Sequence, residues 1–240
     1  MAAARSQQFT FQNGSYFIDE TKIMHVYGEI KNISDNAMKD IIVKASFYDS
    51  RGKFLNEFRR ESEITILNPG EKSSFEILYI DTKTVNQVTN FTLSATATET
   101  TAKPKELLVV AENSRLDPVT GFYYINGRVT NAGSRISTNS TVIATFYDKD
   151  GKVISIGRTQ AEPLDIASQS NGAFGLASIQ KLQTYKIKTF SLAAESDEYL
   201  TIPEFHYIHV VSALSIFTAM NLVRLRSTHR KDRSRSDHNI

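Results

Sequence analysis

The side chains that most often carry out chemistry are scarce in this sequence. Its 240 residues contain no cysteine, and of its five histidines only His25 lies in the part of the chain whose pattern predicts folded domains. A histidine-based triad, or a zinc site with two or three histidines, cannot be assembled from one histidine. The sequence therefore predicts no catalytic residue, no metal site and no cofactor.

One short acidic segment could suggest a calcium site. Residues 148–151 (DKDG) alternate two carboxylates, but the related residues 49–52 (DSRG) lack the second acid. Neither segment is followed by the distal bidentate Glu of an EF-hand loop. Asp followed by Gly at this spacing is also typical of a tight hairpin, in which Asp bonds its own backbone and Gly adopts a positive φ. We favour the hairpin over calcium.

Four Asn-x-Ser/Thr sequons are the candidate modification sites: Asn13, Asn32, Asn90 and Asn139. In an exported protein they could carry glycans. Asn139 is the strongest candidate because it lies in a Ser/Thr-rich segment. Asn32 is the weakest, because Asn131 repeats this asparagine without a sequon and so indicates a role in a turn.

A seven-residue motif that occurs twice organises the chain. Residues 47–53 (FYDSRGK) return as residues 146–152 (FYDKDGK), 99 positions later. Each copy ends an alternating run in which Val, Ala and Phe fall at i, i+2 and i+4, on one face of a strand. We expect the six side chains of these two runs to be buried: Val43, Ala45, Phe47, Val142, Ala144 and Phe146.

The same shift relates residues along the whole of both units, including Gly28 to Gly127 and, at the start, Phe9 to Leu108. Repetition of this length indicates two copies of one domain. Each unit of about 100 residues offers short strands separated by turn signals and almost no helical period, which is typical of an immunoglobulin-like sandwich. The sequence predicts an all-β fold of two tandem immunoglobulin-like antiparallel β-sandwiches, at 8–100 and 107–198. The short linker at 101–106 suggests that they stack end to end.

Two positions on the predicted strands need an explanation. His25 occupies the place that Tyr124 holds in the second unit, so we expect it to be a residue on the strand surface. Gly28 and Gly127 interrupt strands, which marks a bulge or the close approach of another group.

These motifs resemble the FxLYD family. The resemblance rests on Gly28 with Asn32, on residues 43–52 (VKASFYDSRG) and on residues 67–75 (LNPGEKSSF). The second unit repeats it, except that residues 168–170 (SQS) stand in place of Pro-Gly-Glu. The resemblance covers about residues 8–198 and implies small β-sandwich modules of bacterial and archaeal surface proteins, without an established activity.

The end of the chain has a different character. Residues 207–223 are mainly apolar and uncharged, and a basic segment follows them. As a helix these seventeen residues would be roughly 25 Å long, slightly less than the ~30 Å of a hydrocarbon core. Phe205 and a snorkelling Arg224 extend the segment. We predict a transmembrane anchor helix at 205–225 and a basic tail at 226–240. The alternatives are a buried core helix or an interfacial helix, and His209 and Asn221 count against spanning.

Pro203, Glu204 and Phe205 precede this segment. Pro-Glu-Phe before an apolar helix and a basic end resembles the PEF-type C-terminal sorting signal of archaeal, and in particular thaumarchaeal, surface proteins. The resemblance implies recognition by an archaeal sorting transpeptidase in the membrane. His206 stands where that signal usually has Gly.

Charge predicts the orientation of the anchor. Lys and Arg that flank a span tend to stay in the cytoplasm, which places the repeats outside the cell. Residues 1–8 lack the apolar segment of a secretory signal, so we expect the native start to lie upstream. The alternative is a tail-anchored cytosolic protein that departs from the charge rule.

The distribution of charge also bears on the partners. Residues 224–240 hold six of the 28 Lys and Arg and two of the 26 Asp and Glu, which leaves 22 basic and 24 acidic groups in the rest of the chain. A nearly neutral body lacks the cationic face that phosphate binding needs, so we expect no nucleic-acid partner.

Two functions remain open. The first is a non-catalytic, membrane-anchored cell-surface protein whose sandwiches act as a binding, adhesion or spacer module for an extracellular protein or glycan. The alternative is an enzyme acting on envelope glycans, or an accessory domain of one. The predicted loops are short and the chain has no Trp for sugar stacking, so the first function leads.

Overall fold

A computed structural model describes residues 8–201, which form an all-β structure in which nearly all strand pairs are antiparallel. Among these residues, helical structure is limited to a 3₁₀ turn at Val85–Gln87 and a short helix α1 at Lys181–Thr184. The strands are β1 (Phe9–Ile18), β2 (Met24–Asn32), β3 (Ala37–Tyr48), β4 (Phe54–Glu61), β5 (Ile66–Leu67), β6 (Lys72–Tyr79), β7 (Asn90–Thr100), β8 (Lys105–Leu116), β9 (Tyr123–Asn131), β10 (Thr141–Tyr147), β11 (Val153–Gln160), β12 (Asn171–Ser178), β13 (Thr189–Glu195) and β14 (Leu200–Thr201).

The strands of the first repeat form two sheets around one core. One sheet has the order β1-β2-β6, and in the other β3 lies between β7 on one side and β4 and β5 on the other. Val43, Ala45 and Phe47 on β3 are fully buried in this core. The alternation in the sequence predicted this burial, because side chains on a strand alternate between its two faces.

The second repeat forms a single seven-stranded sheet with the order β11-β10-β13-β14-β8-β9-β12. The short strand β14 pairs with the end of β13 and, in parallel, with the start of β8, and so joins two groups of strands that correspond to the two sheets of the first repeat. Val142, Ala144 and Phe146 on β10 are fully buried. The predicted burial is therefore confirmed in both repeats.

The strand register shows where the 99-residue shift holds. Val43 pairs with Ala95 in the first repeat, and Val142 pairs with Ala194 in the second. The first strand differs. Asn32 pairs with Phe9, whereas Asn131 pairs with Leu107, so the predicted match of Phe9 with Leu108 is wrong by one residue.

The cause is one extra residue in the turn between the first two strands of the second repeat, which spans 117–122 where the first repeat has 19–23. A slip of one residue moves a side chain to the opposite face of a strand. Leu107 and Val109 therefore point into the core and are fully buried, and Leu108 is only partly buried.

The two repeats lie side by side, and the prediction that they stack end to end is wrong. A strand with one face in solvent alternates between buried and exposed residues. On β2 every residue from Met24 to Ile30 is buried, and on β10 every residue is buried, because one face of each strand packs on its own core and most of the second face packs on the other repeat. All described residues belong to one compact unit.

Candidate functional site

The two Asp-x-x-Gly segments form hairpin turns, as predicted. In each turn the Asp Oδ1 accepts hydrogen bonds from the backbone N–H groups two and four residues later, at 2.8–2.9 Å for Asp49 and 2.9 Å for Asp148. Gly52 and Gly151 adopt positive φ angles of 76° and 74°. Within residues 8–201 no three His, Asp or Glu side chains converge as a metal site.

Asn32 and Asn131 hold equivalent turns and are fully buried. Each Nδ2 donates to the backbone carbonyls four and 35 residues later, at 2.7–2.9 Å. Each Oδ1 accepts a backbone N–H two residues later. The predicted turn role of Asn32 is confirmed, and its amide is committed to the fold.

The other three sequon asparagines are exposed. The Nδ2 of Asn139 donates to Asp197 Oδ2 at 2.8 Å. Asn90 begins β7, and its Oδ1 accepts the N–H of Phe91. The Nδ2 of Asn13 donates to Glu29 Oε2 at 2.5 Å, within the first repeat.

The sorting-like motif Pro203, Glu204 and Phe205, the predicted anchor at 205–225 and the basic tail at 226–240 lie outside the described residues. In the part of the chain that the structure describes, no helix has the length and apolar character needed to cross a membrane.

Buried polar contacts join the two repeats, and Glu29 takes part in several of them. This residue is 2% exposed. Its Oε1 accepts the hydroxyl of Tyr147 at 2.7 Å and lies 2.7 Å from Lys72 Nζ. Lys72 Nζ also lies 5.8 Å from the centroid of the Tyr147 ring. Because a buried charge is costly unless it is paired and hydrogen-bonded, these contacts have to stay together.

The Tyr147 hydroxyl remains a hydrogen-bond donor over the whole physiological pH range. Burial, together with the charge of Glu29, raises the pKa of Tyr147 and outweighs a contact with Ser191 that lowers it. The hydroxyl therefore stays protonated and can donate across the interface.

A second buried carboxylate, Glu195, closes another part of the interface. It accepts the N–H of Thr65 at 3.0 Å and also the Thr65 hydroxyl. Lys103 Nζ lies 3.7 Å from the same carboxylate and donates to the carbonyl of Ser196. The backbone of Lys103 exchanges two hydrogen bonds with the Asn68 side chain, at 2.8 and 2.9 Å. The linker residue Lys103 is therefore fastened to both repeats.

Apolar side chains fill the space between these polar groups. Tyr27 from the first repeat packs with Tyr147 and Val153 from the second in one buried cluster. Ile143, on the outward face of β10, belongs to the core cluster of the first repeat. The hydroxyls of Thr145 and Ser74 meet in the same region at 2.9 Å.

His25 lies beside this interface and is buried, so the prediction of a surface residue is wrong. It is 5% exposed, and its ring stacks on Phe17 with the centroids 4.6 Å apart. Nδ1 lies 2.7 Å from Glu76 and Nε2 lies 3.3 Å from Asp19. Its outward position on β2 is covered because neighbouring side chains close over it, whereas its counterpart Tyr124 remains partly exposed.

The two carboxylates control the charge of His25. Burial alone would lower the pKa of His25, but the hydrogen bonds to Glu76 and Asp19, and their charges, raise it above 6.5. For Asp19, burial raises the pKa, but hydrogen bonds from Ile23, Thr21 and His25 outweigh it and lower the pKa to about 2. The pair is therefore most stable as imidazolium and carboxylate.

A cleft of about 500 Å³ opens at the edge of the interface. Its charged lining consists of Arg59, Arg60 and Arg158 with Glu61 and Glu63. Arg158 Nη1 lies 3.4 Å from Glu63 Oε2. Burial raises the pKa of Glu63, and the positive charges of Arg158 and Arg60 oppose that rise.

The arrangement as a whole fixes the repeats to each other. Glu29 and Glu195 each accept at least one hydrogen bond from the opposite repeat, and within residues 8–201 no buried side-chain nitrogen or oxygen lacks a hydrogen-bond partner. Sequence reasoning missed these residues, because Glu29, Tyr147 and Glu195 sit on the outward faces of strands and their partners Thr65 and Lys103 lie in loops.

The solved structures that match this chain do so at low sequence identity and low TM-score. The exo-chitosanase CsxA of Amycolatopsis orientalis matches at 10% identity and a TM-score of 0.29, over 80% of this chain and 26% of that chain. A beta-glucuronidase from glycoside hydrolase family 2 matches at 10% identity and a TM-score of 0.31, over 74% of this chain and 23% of that chain. Red sea bream transglutaminase matches at 10% identity and a TM-score of 0.26, over 78% of this chain and 30% of that chain.

The chain spans less than a third of the length of each of these proteins. No protein-family model matches the chain, and no curated protein matches its sequence. Similarities of this size assign neither a family nor an activity.

Proposed function

We propose that this chain is a non-catalytic, membrane-anchored cell-surface protein in which two FxLYD-like, immunoglobulin-like β-sandwiches form one rigid module. The module spaces or presents a binding surface for an extracellular protein or glycan. The observation that carries the proposal is the interface between the repeats, where Glu29 and Glu195 are buried and bonded by groups from both repeats or from the linker.

Domains in one chain move relative to each other unless their interface is large and apolar. Separating these repeats would expose the cluster of Tyr27, Tyr147 and Val153 and would leave the Glu29 carboxylate without its Tyr147 donor. Both changes cost free energy, so the module keeps one shape. A fixed shape suits a spacer or a display platform, whose purpose is to hold a surface at a set distance and orientation.

The cleft supports an acidic partner. Glu63 pairs with Arg158, and Arg59 and Arg60 line the same cleft, so their guanidinium groups can bind carboxylate or sulfate groups of a protein or glycan. This surface lies at the edge of the rigid interface, where its geometry is fixed by both repeats.

Anchoring rests on the sequence of the end of the chain. The apolar segment at 205–225 would hold the protein in the membrane, with the repeats outside and the basic tail in the cytoplasm. The motif Pro203, Glu204 and Phe205 would mark the chain for a sorting transpeptidase.

Membrane fractionation and protease treatment of intact cells test this proposal. With a secretory signal sequence fused to its N-terminus, the full chain should sediment with membranes, and external protease should digest the repeats. A matched chain that ends at Thr201 should be released into solution. Full chain found soluble in the cytosol would contradict the anchor, and repeats protected from protease in sealed cells would contradict the outward orientation.

A further inference from the structure

The outer edge of β7 is an open strand edge of the first repeat. Among the described residues, β7 (Asn90–Thr100) pairs only with β3, so the backbone groups on its other side have no strand partner. In the second repeat the equivalent strand β13 receives β14 against its end. In the first repeat the chain passes from β7 into the linker, and among the described residues no strand corresponding to β14 pairs with β7.

Except for Glu99 near its end, β7 carries none of the features that usually prevent pairing. Charged side chains, Pro and bulges keep natural edge strands apart. Residues 90–98 (NFTLSATAT) contain no charged residue and no Pro, and the bulge in this pair of strands lies on β3, between Lys39 and Ile42. The side chains of the outer face are Asn, Thr and Ser, and all of them are exposed.

The same nine residues complement themselves when two copies run antiparallel. With Ser94 opposite Ser94 of a second copy, Thr92 meets Thr96 and Asn90 meets Thr98 on the outer face. On the inner face Phe91 meets Ala97 and Leu93 meets Ala95, so each large side chain faces a small one. Because the pairing contains no charge, no like charges oppose each other.

We propose that β7 is a self-association edge, through which two copies of this chain pair antiparallel about a two-fold axis at Ser94. The pairing extends the sheet of β4, β3 and β7 continuously from one copy into the other. It satisfies the free backbone groups of both edges, which is the contact that sheet edges form most readily. A two-fold pairing closes on itself and gives dimers instead of fibres.

Cysteine cross-linking tests the register, because the chain has no native cysteine. In the proposed dimer the two copies of Ser94→Cys face each other at a Cβ separation of about 5 Å, close enough for a disulfide. The matched control Thr98→Cys lies four residues from the axis, so its two copies are about 27 Å apart. The full chain, made without glycosylation because Asn90 is a sequon, should form a disulfide dimer with Ser94→Cys and none with Thr98→Cys. Equal cross-linking of both variants, or none with Ser94→Cys, overturns the proposal.

Mass measurement by light scattering, with the full chain in detergent, tests the association itself. The unsubstituted chain should have the mass of a dimer, and Ser94→Lys should shift it to a monomer because Lys opposes Lys at the axis. Thr98→Lys should weaken the dimer much less, because its Lys faces the neutral Asn90 at the end of the pairing. A dimer that survives Ser94→Lys contradicts β7 as the contact. If only a chain ending at Thr201 dimerises, the end of the chain covers the edge, which also contradicts the proposal.

Discussion

Tyr147→Phe removes a single oxygen from the interface and leaves the ring that packs against Tyr27 and Val153. The hydroxyl donates to Glu29 Oε1 at 2.7 Å, and the Glu29 side chain is 3% exposed, so water does not replace the lost donor. A hydrogen bond to a charged group contributes about 1.5–3 kcal/mol. Glu29 keeps Lys72 and Asn13, so the loss stays below the ~3–5 kcal/mol of an uncompensated buried charge.

We therefore expect Tyr147→Phe to lower the free energy of unfolding by about 2 kcal/mol, or the Tm by about 4–8 °C for a body of this size. Urea unfolding of a chain ending at Ile202, followed by circular dichroism, measures the change. Tyr48→Phe is the matched control, because Tyr48 holds the same place in the first repeat and lies outside the interface. We expect it to change stability by less than about 0.5 kcal/mol.

A double-mutant cycle with Glu29→Gln isolates the contact itself. If the hydroxyl and the carboxylate interact directly, the two substitutions should be non-additive by about 1 kcal/mol or more. Additive effects, or equal costs for Tyr147→Phe and Tyr48→Phe, would refute the assignment of this hydrogen bond as a stabilising link between the repeats.

Three further predictions concern the repeats themselves. Phe47→Ala and Phe146→Ala should each cost about 3–5 kcal/mol in urea unfolding, because both rings are fully buried; a cost below about 1 kcal/mol would show that the rings are not packed. Asn131→Ala should cost about 2–3 kcal/mol, since it leaves one buried and one partly buried carbonyl without a donor, and a neutral substitution would contradict that. The pKa of His25 is raised above 6.5, so its stabilising contribution is complete below that pH and is lost as the pH rises through the raised value. Stability should fall over this range in the parent chain but not in His25→Asn, and parallel pH profiles would contradict the role of His25.

Local features of the sequence predicted local features of the fold. The burial of Phe47 and Phe146 follows from a period of two, and the hairpins follow from the chemistry of Asp and Gly within five residues. Gly28 was expected to mark a close approach, and a Cβ there would lie 2.7 Å from the ring of Phe75 on the neighbouring strand. Patterns of this kind can be recognised in the sequence without knowing which distant residues come into contact.

The interface could not be predicted in the same way, because its partners are far apart in the chain. Tyr147 and Glu29 are separated by 118 residues, and no spacing rule connects them. A comparison of the two repeats does carry a signal. On the outward face of the central strand, Lys44 of the first repeat is replaced by Ile143 in the second, and Ile143 is buried. An apolar residue at an outward position indicates a covered face.

The central claim is that the two repeats form one rigid body, and a distance measurement across the interface tests it directly. Spin labels at Arg51→Cys and Lys149→Cys, on the exposed hairpins of the two repeats, report that distance by pulsed electron resonance. Labelled chain is diluted with unlabelled chain, so that only distances within one copy are measured. The account predicts a single narrow distance distribution that broadens when Glu29→Ala and Tyr147→Ala are introduced together. A broad distribution in the parent chain would contradict it.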